Sequence, residues 1–155
     1  MTQEQMAPIH NYFATNLFNQ SWDILLKEGR TSADEEVLLD TVHASLYHWR
    51  QIGEPINILR GVWFLAHVYT MLGRKEEALL QAQTCLRLAE EQQVQDWDLA
   101  YAYSAVARAN ALNNDKAMFD EWYAKAKEAG ELIKEEGDRT QLLADLNDGQ
   151  WFGMC

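Results

Sequence analysis

The chain has 155 residues, 48% hydrophobic and 24% charged, and its 24 acidic against 13 basic side chains leave a formal net charge of −11. That length suits one domain, residues 1–155, able to bury roughly two thirds or more of its unfolded surface. So acidic a surface repels nucleic-acid phosphates and anionic lipid head groups, and no apolar run approaches the roughly 20 residues of a membrane span, so neither nucleic acid nor membrane is expected as a partner.

Two prolines, eight glycines and abundant Ala, Leu, Glu, Gln and Lys predict helix nearly throughout. The fold class expected is all-α, with about seven helices. The first runs from about Ile9 to Lys27 and stops before Gly29. Ser32-Ala33-Asp34-Glu35 reads as a capping box opening the second, in which the Ser32 hydroxyl takes an N3 amide and Glu35 reaches back. Gly53 suits the left-handed residue that ends that helix. Pro55 fits the first turn of the third, where its missing N–H costs nothing. Gly73 closes the third helix and Lys75-Glu76-Glu77 opens the fourth. Asp96 is the expected cap of the fifth, Asn114 or Asp115 of the sixth, and Asp138-Arg139-Thr140-Gln141 reads as a second capping box for a short seventh. Short connections between long helices imply antiparallel neighbours, paired over 9–53, 55–93 and 96–136, with a capping helix and tail over 138–155.

The third helix carries two apolar stripes. Ile58, Val62, Leu65, Tyr69 and Leu72 form one, and Ile56, Leu59, Trp63 and His67 lie opposite. A helix apolar all round is buried on several sides. The fifth is similar, with Leu99, Tyr103 and Val106 on one side and a series of alanines elsewhere. The fourth is amphipathic, with Ala78, Ala82, Cys85 and Ala89 facing inward. Buried helices alternating with half-exposed ones fit stacked helical hairpins.

Leu65-Ala66-x-x-Tyr69-x-x-x-Gly73 followed by Ala78 fits the interior of a tetratricopeptide repeat, where the small residue lets paired helices approach, the tyrosine fills the gap and the glycine turns the chain. Val106-Ala107-x-x-Asn110-x-x-x-Asn114 recurs about 41 positions later. The chain therefore resembles the tetratricopeptide-repeat-like (TPR-like) superfamily, in a long-helix form with repeats of roughly 40 residues instead of about 34. The match is good over Ile56 to Gly130 and departs at Val62, where the family's leading tryptophan would stand, and at Ala66, where it has glycine. His43-Ala44-Ser45 with His48-Trp49 also resembles a segment of small bacterial proteins of this type, which implies no activity. The resemblance implies a short right-handed α-solenoid.

The one segment that looks like chemistry is His43 to Pro55. Leu38, Val42, Leu46 and Trp49 share a stripe, and His43 and His48 fall on its opposite margins, about 140° apart. Two histidines so placed cannot chelate one metal from a single helix. Asp40, His43 and Tyr47 share a flank at helical spacing, giving a polar cluster Asp40, His43, Tyr47 and His48. The bland reading packs each ring at a helix seam; the sharper ones place the histidines in a partner groove, or bring His43 or His48 to His67 at a metal site. No phosphate loop, Gly-x-Ser-x-Gly elbow or nucleophilic cysteine accompanies them. No catalytic residue and no cofactor is expected, and the chain is not expected to be an enzyme. Cys85 and Cys155 form no metal or redox spacing, and Met1 to Gln5 lack the regions of a signal peptide, so the expected location is cytoplasmic.

The function that follows is a non-enzymatic protein- or peptide-binding module or adaptor, its groove lined by the first helix of each hairpin. Asn57, Arg60, Trp63, His67, Tyr101, Ser104 and Arg108 lie off the main packing stripes of the third and fifth helices and form the expected partner-binding surface, with Arg60 or Arg108 fixing a carboxylate. The alternative is a small-molecule or metal-binding helical protein centred on His43, His48 and His67. Trp151 and Phe152 are too apolar to leave in water. They are expected to cap the last hairpin, to lie in the groove, or to join two copies as a homodimer.

Overall fold

The computed structural model describes residues 1–155, and the chain is all-α. Seven helices run in order: α1 (Gln3–Leu25), α2 (Ser32–Ile52), α3 (Pro55–Met71), α4 (Lys75–Glu91), α5 (Asp96–Leu112), α6 (Lys116–Glu131) and α7 (Glu136–Asp148). No helix is long and apolar enough to cross a membrane.

Local chemistry sets the boundaries, twice one position and once three positions before the expected cap. Helix α1 begins at Gln3, six residues before the predicted start, because Thr2 and Gln5 form a capping box. Pro8 then sits in the second turn, where it removes a single ladder bond. In α2 the capping box is Thr31 with Asp34, not Ser32 with Glu35. The Thr31 backbone N–H and the Lys27 ammonium hold the Asp34 carboxyl down at about 2. Gly53 ends α2 in the left-handed conformation, φ +82°, and Pro55 opens α3, both as expected. Asp96 does not cap α5. Gln95 is the boundary residue, and the Asp96 carboxylate turns away to accept the Lys134 N–H at 3.0 Å. Asp115 caps α6 through the Met118 N–H. The Asp138 to Gln141 box does not form: Glu135 caps α7 by accepting the Gly137 and Asp138 N–H groups.

Packing follows the sequential pairs α1–α2, α3–α4 and α5–α6. Helix α3 also touches α2 and α5, α4 touches α5, and α7 lies on α5 and α6. The main core joins Leu38, Val42 and Leu46 of α2 to Leu59, Val62, Phe64, Leu65 and Val68 of α3. Eight residues of α3 and nine of α5 are buried, as two-sided apolar helices require. The inward face of α4 is Ala78, Ala82, Cys85 and Ala89, the stripe read from the sequence. A second core, mostly alanine, lets α4 and α5 approach. Around Trp151 a third forms from Ala107, Ala111, Phe119, Ala126 and Leu146.

Candidate binding pocket

Three helices present aromatic side chains to one face. Trp22 of α1 stacks on Phe64 of α3, with centroids 4.3 Å apart at 16°. Trp63 of α3 stacks on His67 one turn later, 5.2 Å apart at 8°. The Trp63 indole N–H donates to the Tyr101 carbonyl of α5 at 3.1 Å, and the Ser104 hydroxyl donates to the same oxygen at 2.8 Å. The Tyr101 ring stands edge-on to Trp63. These contacts fasten α3 to α5 and build a floor of rings.

Helix α7 closes the far side. The Tyr101 hydroxyl donates to Asp145 Oδ2 at 2.7 Å, and Gln141 Nε2 donates to Oδ1 at 3.0 Å. Burial, then the Asp145 carboxylate, pushes the Tyr101 phenol well above its usual range. Between the α3–α5 floor and the walls from α1 and α7 lies a pocket of about 400 Å³, lined by Trp22, Trp63, His67, Tyr101, Ser104 and Arg108 and by Gln141, Asp145, Asp148 and Gly149. A second cavity of about 350 Å³ adjoins it, sharing Trp22, Trp63, Tyr101 and Asp145 and adding Phe18, Leu59 and Trp97.

Arg108 is the cation of this pocket. Its guanidinium lies 4.5 Å from the Trp151 ring centroid and makes one long bond, 3.5 Å, from Nη2 to the Asp145 carbonyl. No carboxylate pairs with it, in contrast to the six ion pairs formed elsewhere. A side chain at Gly149 would strike the Asp145 carbonyl and come within 2.6 Å of Arg108 Nη2, so the absence of a Cβ there lets the arginine lie against α7. His67 makes no hydrogen bond to the protein, and burial, reinforced by Arg108, pushes its pKa down to about 3. It is a neutral imidazole, open to the cavity, able to donate from one nitrogen and accept at the other.

Five of the seven expected partner-binding residues thus line the pocket: Trp63, His67, Tyr101, Ser104 and Arg108. Arg60 does not act as a free anchor. Its fork is closed on Asp98 at 3.0 and 3.1 Å, and its guanidinium covers Trp97 at 4.3 Å. Asn57, in the first turn of α3, lines neither cavity. Trp22 and the α7 residues are not among the expected residues, which were named only on α3 and α5 although the groove was expected on the first helix of each hairpin. Their signal was an aromatic at the inner end of α1 and a polar turn just before the tail.

The histidines do not converge. His43 Nε2 meets the Tyr69 hydroxyl at 2.7 Å, and Asp40 acts on it only through space, opposing the fall in pKa that burial causes. Tyr47 stands edge-on to His48 instead of reaching His43. His48 Nδ1 meets His10 Nδ1 of α1 at 2.8 Å, a contact absent from the sequence reading because it joins residues 38 apart. With His67 in the pocket, the three have separate partners, and no group of three or more His, Cys, Asp or Glu side chains is placed to hold a metal ion. Neither the Asp40–His43–Tyr47–His48 cluster nor a centre formed by His43, His48 and His67 is assembled.

The tail turns back on the chain. Trp151 is 3% exposed, against Phe119 and Tyr123 of α6, and its indole N–H donates to the Leu146 carbonyl at 2.9 Å. Its ring therefore belongs to the chain's own core, and Phe152 beside it is half-buried. Comparison with protein-family models, with curated proteins and with solved structures returns no match.

Proposed function

We propose that the chain is a non-enzymatic binding module of TPR-like build, a short stack of three helical hairpins whose concave face holds a ligand. Sequential pairing of the helices, together with direct contact between α3 and α5, supports that arrangement. Because α1 and α7 wall the face on two sides, the occupant is compact: the tip of a peptide or a molecule of comparable size. A pocket of about 400 Å³ falls within the roughly 300–1,000 Å³ of small-ligand sites.

The observation that carries this reading is Arg108, a guanidinium without a carboxylate partner in an aromatic-lined pocket. An arginine so placed offers a fork of donors to a carboxylate. Calorimetric titration of short peptides bearing Asp or Glu, and of simple carboxylates, into the wild-type protein and an Arg108→Gln variant tests it. Binding that falls at least tenfold in the variant supports the reading. Binding that is equally tight in a folded variant, or absent in both proteins, overturns it.

A further inference from the structure

Two carboxylates line the pocket beside the single arginine. Asp145 is engaged, with one oxygen taking the Tyr101 hydroxyl and the other the Gln141 amide. The Asp148 carboxylate, at the exposed rim, has no hydrogen-bond or ion-pair partner in the protein. The groups left open are therefore one cation, one carboxylate and the imidazole of His67. A plain anion would gain Arg108 but meet two carboxylates in a chain of net charge −11. A plain cation would meet Arg108. A molecule carrying both charges satisfies both open groups, and the remaining walls are flat rings: Trp22, Trp63 and Tyr101, which continue into the adjoining apolar cavity.

Building on the binding function above, we propose that the pocket takes a small zwitterion with a flat or bulky apolar body, of the α-amino-acid class. Its carboxylate lies on Arg108, its ammonium at the Asp148 rim, and its apolar body along Trp63 and Tyr101 toward the second cavity. His67 serves as the neutral donor or acceptor on the floor, matching whichever oxygen or nitrogen reaches it. The same end groups occur in a free amino acid, whereas the tip of a longer peptide carries only one of them.

The test is calorimetric titration of the full chain with L-tryptophan, L-phenylalanine and L-leucine, and with L-tryptophanamide and N-acetyl-L-tryptophan, which each lack one charge. At least one free amino acid is expected to bind, with the amide and N-acetyl forms weaker by tenfold or more. Asp148→Asn, an exposed substitution that leaves the core untouched, is expected to weaken the free amino acid about tenfold and not to weaken N-acetyl-L-tryptophan, which has no ammonium for that carboxylate to hold. If N-acetyl-L-tryptophan binds as tightly as L-tryptophan, or Asp148→Asn has no effect, the zwitterion is overturned and an anion on Arg108 remains. If none of these compounds binds while acidic peptides do, the ligand class is wrong and the binding module stands. If peptides also fail, both fall together.

Discussion

The Arg108 guanidinium lies 4.5 Å from the centroid of the Trp151 ring, so the open cation of the pocket rests on the chain's own tail. Trp151 thus supports the site while its ring packs on Phe119 and Tyr123. Because the tail and the pocket share this contact, perturbing the tail should be read out at the ligand.

Trp151→Ala removes a 3% exposed indole and its hydrogen bond to Leu146. Truncating a buried Trp costs about 3–5 kcal/mol. For a chain of this size that corresponds to a fall in Tm of roughly 10 °C. Thermal unfolding followed by circular dichroism measures it. A shift under about 2 °C would mean that the tail is not seated on α5 and α6.

Gly149→Ala tests the close approach of α7 to Arg108. The added methyl would meet the Asp145 carbonyl and lie 2.6 Å from Arg108 Nη2. Either α7 shifts or the guanidinium does, and overpacking of this kind costs about 1–3 kcal/mol. Ligand affinity should fall with stability, because the displaced group is the proposed anchor. Stability and affinity both at wild-type values would exclude the close contact.

The sequence revealed the helices better than it revealed their caps. The inward face of α4 and the two-sided burial of α3 followed from side-chain periodicity, which depends only on spacing. Thr31 and Glu135 take the amides that open α2 and α7, and Gln95 bounds α5 without a side-chain cap, because several neighbouring polar residues can each serve and periodicity does not choose among them. Asp96 shows this: it is a good cap by type, but Lys134 of the α6–α7 connection takes its carboxylate. The pocket floor was legible for the same reason as the faces, since Trp63, His67, Tyr101, Ser104 and Arg108 lie off the packing stripes. Its walls were not, because no local pattern tells Trp22 or Asp145 which helix it will face. Arg60 and Arg108 look alike in sequence, and only the fold gives one of them Asp98 and leaves the other open.

His67 makes the stability of the protein depend on pH. Its folded pKa is depressed from 6.5 to about 3 by burial, so the unfolded chain binds the proton more readily than the folded one. The stabilisation is fully present above pH 6.5 and is lost progressively as pH falls toward 3, at up to about 1.4 kcal/mol per unit. Burial acts in the same direction on His43 and His48. Denaturant melts at pH 7, 6 and 5 should show stability falling with pH, and His67→Phe, which keeps a ring against Trp63, should flatten the slope. A wild-type slope retained in that variant would assign the effect to other groups.

Tyr101→Phe separates the structural part of the pocket from its ligand-binding part. The substitution keeps the ring against Trp63 but deletes the hydroxyl that donates to Asp145 Oδ2 across the α5–α7 seam. A hydrogen bond to a charged group contributes about 1.5–3 kcal/mol, and the Asp145 carboxylate would be left with Gln141 alone. Helix α7 rests mainly on α5 and α6, so the loss should be local. Hydrogen exchange at the amides of residues 136–148 should accelerate several-fold, while those of α1 and α2 keep wild-type protection. Acceleration spread evenly over all seven helices would mean instead that α7 unfolds with the whole chain, and that the wall it forms has no independent motion through which a ligand could enter.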